Sequence, residues 1–189
     1  MRLLIERSAR RDFTRTLRVA VAGGDGPPIL WVERPYHVLK DDALLYADEA
    51  REHPLLAVRQ KSAPLDGQTE HEILELPGGR RFGALRGRTQ SALSIFGGPL
   101  RWEILGADGT TAGVLLEEGS WLRRLALGES RFRVDLGLQT VALLVAEQGL
   151  LRTRFFLTLL PVPEPIEARF AVACATVAIS ATLRRRGGR

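Results

Sequence analysis

The stretch from Ala168 to Leu183 reads Ala-Arg-Phe-Ala-Val-Ala-Cys-Ala-Thr-Val-Ala-Ile-Ser-Ala-Thr-Leu, and it constrains the fold more than any other part of the chain. Its residues are apolar or small all the way round a helix, not along one stripe. A helix without a polar face must be enclosed on every side, by lipid or by protein. Only 14 residues lie between Arg169 and Arg184, whereas crossing a bilayer takes about 20. The Ala, Cys, Ser and Thr content suits a narrow enclosure. Too short to span a membrane and too apolar for a surface, this helix is expected to thread the core of a β-barrel, and no transmembrane helix is expected.

What precedes it fits that enclosure. Short two-period or wholly apolar runs alternate with turn chemistry, the pattern of an all-β sandwich or barrel. Phe132, Val134 and Leu136 alternate with Arg131, Arg133 and Asp135, which places them on opposite faces of one strand. Asp108-Gly109 and Pro77-Gly78-Gly79-Arg80 mark hairpins. About twelve strands can be read between Leu3 and Leu160. Pro161, Pro163 and Pro165 then end the sheet, and Pro165-Ile166-Glu167 suits the first turn of a helix. Val141 to Ala146 is apolar on both faces, so some further element or close packing is expected to cover its outer side. The reading is one domain over residues 1–183, with its central helix at about 165–183 and a basic tail at 184–189.

Among 189 residues the formal charge of +5 is unevenly placed. Residues 1–18 hold six arginines against Glu6 and Asp12, and residues 184–189 hold four arginines and no acid. Ends of this kind favour anionic partners. Cys174, the single cysteine, lies inside the apolar helix, which excludes a disulfide framework. The N-terminus has no signal-peptide pattern, so a cytoplasmic location is the expectation.

Chemistry-bearing constellations are sparse. His37, His53 and His71 fall on turns and a strand start without metal-ligand spacing. Gly23-Gly24-Asp25-Gly26 runs into two prolines instead of a helix, so it reads as a turn and not as a phosphate loop. No nucleophile elbow, metalloprotease motif or oxygen-rich calcium loop is present. No catalytic residue, metal site or cofactor is therefore expected. Arginines supply the candidate site: Arg80, Arg81, Arg86 and Arg88 around the third hairpin, Arg123 and Arg124 after Trp121-Leu122, and Arg184, Arg185 and Arg186 after the helix. Guanidinium forks suit phosphate oxygens, and an apolar pair beside arginines suits a membrane interface. The competing reading pairs these arginines with neighbouring glutamates on an outer sheet face. Nucleic-acid binding is disfavoured, because the one confident helix is buried and the aromatics do not cluster.

The order of the pieces resembles the tubby C-terminal-like superfamily, and its phospholipid scramblase and LURP-one-related branches most. Leu44-Leu45-Tyr46-Ala47-Asp48 followed by Leu55-Leu56-Ala57-Val58-Arg59-Gln60-Lys61 is similar to that family's strand ending in Asp and its leucine strand ending in Arg and Lys. Arg101-Trp102-Glu103-Ile104 with Gly109 and Gly113-Val114 resembles its tryptophan strand and the strand after it. Ile166 to Leu183 resembles its central helix. The resemblance implies a twelve-stranded closed antiparallel barrel around that helix, and a non-enzymatic protein that is membrane-associated or binds phospholipid. Anionic head groups at the inner face of the membrane would be the partner. The alternative is a cytosolic module that binds a protein partner by its outer barrel surface. Scramblase-like members are associated with calcium, a cysteine cluster and a Pro-rich tail, none of which this sequence carries.

Overall fold

A computed structural model describes residues 1–8, 15–23, 26–34, 42–61, 68–88, 99–119, 130–148, 153–163 and 165–187. Among them are twelve strands: β1 (Arg2–Ser8), β2 (Arg15–Val21), β3 (Leu30–Arg34), β4 (Ala43–Tyr46), β5 (Pro54–Gln60), β6 (Gln68–Glu75), β7 (Arg80–Arg88), β8 (Arg101–Leu105), β9 (Thr111–Glu118), β10 (Ser130–Leu136), β11 (Gln139–Gln148) and β12 (Thr153–Leu159). One helix follows, α1 (Ala168–Gly187). Each strand pairs antiparallel with its neighbour in sequence, and β1 pairs with β12 from Arg2↔Thr158 to Glu6↔Arg154, which closes the barrel. Closure leaves no edge strand to template association. The tightest turn joins Leu136 to Gln139 through Gly137 and Leu138. Gly137 has φ +56°, and a positive φ at the first of two turn residues is a position glycine occupies without strain.

The helix runs through the barrel. It begins at the mouth where β12 ends and β7 begins. There Phe170 meets the Phe82 ring edge-on, with centroids 5.3 Å apart, and Arg169 reaches Glu75 at 3.0 Å. Gly83 faces Phe170 so closely that a Cβ would lie 2.7 Å from its ring. From Ala171 to Thr182 every helical residue is buried. Twelve helical residues rise about 18 Å, and a seven-residue strand tilted by about 40° climbs about the same along a barrel axis. The buried run therefore matches the height of the wall.

Wall and helix divide the filling between them. The wall contributes large side chains, including Phe132, Phe155, Ile73, Leu85 and Ile104, while the helix contributes Ala171, Ala173, Cys174, Ala175 and Ala178. Thr176, Ser180 and Thr182 donate to the carbonyls of Val172, Thr176 and Ala178 at 2.8, 2.6 and 2.9 Å. Their hydroxyls are satisfied within the helix, so an apolar wall leaves none of them orphaned. Trp102 packs inside against Phe132, with centroids 6.3 Å apart. Trp31, opposite Tyr46, is buried by the alternate face of β3.

The helix differs from the sequence reading at both ends. Pro165, Ile166 and Glu167 stay outside it, although the Ala171 amide already bonds to the Glu167 carbonyl at 2.9 Å. At the other end it continues through Gly187, so Arg184 to Arg186 form its last turn instead of a separate tail. Arginine is a good helix former, and cations near a helix C-terminus are favoured by the dipole. Phe170 is only half-buried because it stands at the mouth, whereas Val172, Val177 and Ile179 are buried.

No described element covers the outside of Val141 to Ala146. Ala142, Leu144 and Ala146 belong to the core, while Leu143 and Val145 lie half-buried between their cross-strand neighbours. Phe156, opposite Val145, is capped by the Arg2 guanidinium 4.3 Å above its ring. Elsewhere the alternate positions of the wall carry Arg18, Arg59, Glu72, Arg86, Arg131, Arg133 and Arg154 in mid-strand. A barrel that spans a membrane shows the reverse arrangement, apolar outside and polar within.

Two outcomes follow from the enclosed helix. Burial pushes the Cys174 thiol up to about 12, so a thiol reagent at mildly alkaline pH should label it only as the protein unfolds globally. Fast labelling of the native protein would contradict the threading. Val177→Asp places an unpaired carboxylate in the core at a cost of several kcal/mol or about that; a soluble variant with a cooperative thermal transition would do the same.

Candidate functional site at the ends of the barrel

Strands alternate in direction, so the connections divide between two mouths. One mouth takes the helix in and has only short connections, over residues 22–29, 47–53, 76–79, 106–110, 137–138 and 160–167; we call it the turn end. The other, the tail end, is where strands β1, β3, β5, β7, β9 and β11 finish and the helix emerges.

The structure does not gather the candidate arginines into one patch. Arg80 opens β7 at the turn end and binds Glu75 through Nη2 at 2.6 Å and Nε at 3.0 Å. Arg81 lies 3.8 Å from both Glu70 and Glu72, and Arg86 lies 3.2 Å from Glu70. Lys61 completes this lattice at 2.9 Å from Glu72. These arginines sit on β7 beside the glutamates of β6, so their charge is answered on the wall itself, as the competing reading had it. Cross-strand pairs of this kind brace a hairpin modestly. Arg184 is exposed at the tail end, with Arg185 and Arg186 following it along the helix. Arg123 and Arg124, and the side chains of Arg88, Arg185 and Arg186, lie outside the described residues.

Two features escaped the sequence reading. Arg169 fastens the start of the helix to the wall: it pairs with Glu75 and Glu167 and stands 4.9 Å over the Phe82 ring. Glu167 and Glu75 together raise its pKa. The second feature is a polar layer inside the barrel near the tail end. Arg34, Gln60, His71, Glu117 and Ser130 are buried, in register with the core residues Val32, Val58, Ile73, Leu115 and Phe132 two positions away. Glu117 accepts the Leu100 amide at 3.0 Å, and the Gln60 amide donates to Asp42 at 2.9 Å. Strand periodicity carried this signal, because each of these residues extends an inward-facing row. His71 thus lies within a strand and not at its start. His53 sits on an exposed turn 3.2 Å from Asp48, and His37 lies outside the described residues. Among the described residues, no three His, Cys, Asp or Glu side chains converge as a metal site would need.

Sorted by the direction of the strands they join, the connecting sequences differ in formal charge. Counted along the sequence, the turn-end connections hold Asp25, Asp48, Glu49, Glu52, Asp108, Glu164 and Glu167 against Arg51, a formal −6. The tail-end connections, together with residues 184–189, hold eleven Lys and Arg against five Asp and Glu, a formal +6. No acidic residue follows Glu167 in the sequence.

Comparison with protein-family models, curated proteins and solved structures finds no match for this chain. No helix among the described residues is long and apolar enough to cross a membrane.

The turn end is also where the apolar surface is exposed. Among the described residues, the large hydrophobics most open to solvent are Met1, Val21, Ile29 and Leu138, at 57, 46, 42 and 105% exposure. All four lie on this rim. In barrel order they run from the β10–β11 turn past the start of β1 to the β2–β3 connection, while Asp48, Glu49, Glu52 and Asp108 occupy the opposite arc.

The latch at Glu75 makes a pH-dependent contribution. The Arg80 hydrogen bond, aided by Arg169, holds the Glu75 carboxyl below the ordinary value of 4.5. A carboxyl so depressed stabilises the fold above that pH, and its contribution is lost as the pH falls through its folded value. Thermal stability should therefore decline in acid below about pH 4.5, with a smaller decline in Glu75→Gln. An acid profile unchanged in that variant would show that the latch contributes nothing.

Proposed function

We propose that this protein is a non-enzymatic binding module, of the scramblase and LURP-one-related kind, that docks on anionic phospholipid head groups with the tail end of its barrel. The formal charge of the connecting sequences carries this reading: those that join strands at the tail end, with residues 184–189, sum to +6 and those at the turn end to −6. A negative surface attracts the more basic end of such a chain. Arg184, Arg185 and Arg186 are the residues we assign to the contact. Arg80, Arg81 and Arg86 are left out of it, because each is paired with glutamates of β6 on the wall. The filled interior favours binding over passage of a lipid through the barrel, and the inner face of a cellular membrane is the matching location.

Each cationic side chain near an anionic membrane contributes about 1 kcal/mol. Replacing Arg184, Arg185 and Arg186 together by Gln should then weaken flotation with anionic vesicles by about a hundredfold. Salt should weaken the wild type similarly, while neutral vesicles should bind neither protein. Equal flotation of wild type and triple variant would remove the tail end from the contact, and absence of wild-type flotation would end the lipid reading.

A second reading, a protein-interaction module, rests on one row of the outer wall. Leu4, Phe156 and Val145 lie side by side across β1, β12 and β11 and are half-buried. Loss of a partner on Phe156→Glu, with vesicle binding intact, would favour it.

A further inference from the structure

One stretch of the outer wall, from β2 to β5, is closed over. Trp31 and Tyr46 face each other across β3 and β4 on the outside of the barrel, yet each is only 7% exposed. Neither belongs to the interior core. The outer face of an antiparallel sheet normally meets water, so aromatics buried there need something laid across them. The β4–β5 turn, residues 47–53, supplies a cover. It leaves β4 beside Trp31 and ties down at two further points around it. Glu49 comes within 3.9 Å of Arg18, the β2 residue paired with Trp31. Arg51 reaches Glu33, two residues along the same face of β3, at 2.9 Å. The Tyr46 hydroxyl donates to the same carboxylate. Tie points on β2, β3 and β4 thus bracket the Trp31 ring.

Within itself the turn is stiff. Asp48 accepts the Glu52 and His53 amides at 3.0 Å each and lies 3.2 Å from the His53 ring. Its base is weak by contrast. Tyr46 stands opposite Pro54 at a β-bulge, and proline has no N–H to give to the ladder. A stiff turn on a weak base is a unit that can open by itself.

Holding the turn in place is also costly. Arg51 has φ +63°, a left-handed conformation that strains a residue with a Cβ. Beneath it, Trp31 Nε1 and Thr16 Oγ1 are buried and have no hydrogen-bond partner among the described residues. Thr16 pairs with Glu33, so both orphaned atoms lie beside the tie points. Opening would relieve the strain and let water reach both groups. Burial of the Trp31 ring and the Arg51–Glu33 pair oppose it.

We infer that residues 47–53 form a strap that lifts from the outer wall as a unit while the barrel stays closed, with Arg51 on Glu33 as its latch. The native protein then has two states, which differ in whether the Trp31 and Tyr46 rings are on its surface. The strap is independent of both readings of the function.

The test is hydrogen exchange of the full chain, followed by NMR. The Trp31 indole proton, assigned through Trp31→Phe, and the Glu52 and His53 amides should exchange about tenfold faster, or more, than the amides of Val58 and Ile73, which report global unfolding. Glu33→Gln removes the charge from the latch and should speed indole exchange by about a further tenfold, with Val58 and Ile73 unchanged. A thermal melt by circular dichroism checks that this variant is folded. Wild-type indole exchange in step with Val58 and Ile73 would overturn the strap, whatever the variant does. Exchange at the rate of a free indole would overturn it too, since the ring would then lie uncovered. So would a folded Glu33→Gln whose indole exchanges like wild type, or one whose indole and core amides speed up alike.

Discussion

Enclosure of a helix by a wall of strands is the constraint on which the rest of this molecule depends. A twelve-stranded barrel is too wide for its own side chains to fill, since eight strands already suffice for a filled interior. The helix resolves this only because its residues are small where those of the wall are large. The same complementarity forces the Ser and Thr hydroxyls back onto the helix's own carbonyls, because the wall opposite them is aliphatic. Arg169 and the Phe82–Phe170 contact then fix where the helix begins, and so which of its residues lie within the wall.

The wall itself separates two roles that arginine plays in this chain. On β7, arginine is a structural cross-link between strands, held by glutamates of β6. At the end of the helix it lies in a stretch of sequence with no acid after Glu167. Composition cannot distinguish these roles, whereas register can. An outer-face arginine finds a partner at cross-strand distance, whereas Arg184 to Arg186 belong to the last turn of the helix.

Much of the architecture was legible in the sequence because its signals are local or one-dimensional. Apolar character all round α1 forced enclosure, alternation in β10 and turn chemistry at Asp108-Gly109 set strands and hairpins, and the span from Arg169 to Arg184 set the length of the buried run. What was not legible depends on pairing between distant segments. The Glu75–Arg169 latch joins residues far apart in sequence. The difference in formal charge between the two sets of connecting sequences appears only when they are sorted by the direction of the strands they join. The inward polar layer lay between these cases: the register of Arg34 with Val32 and of Glu117 with Leu115 was there to be read, but a polar residue ending a strand is easily taken for a solvated one. For the candidate site, residue types were visible in advance, and so was pairing with neighbouring glutamates as the competing reading; which glutamate meets Arg80, Arg81 and Arg86 needed the register of β6 on β7.

The pairing of β1 with β12 has a consequence for how the chain reaches its native state. The first strand can complete its hydrogen bonds only after the last has been made, and the segment that fills the interior is translated later still. Until then the inward rows of every strand have nothing to pack against. Folding must therefore wait for synthesis of the helix and be dominated by contacts distant in sequence, a regime of slow kinetics. A nascent chain halted before Ala168 would be a hollow, adhesive intermediate, dependent on chaperones in a way the finished barrel is not.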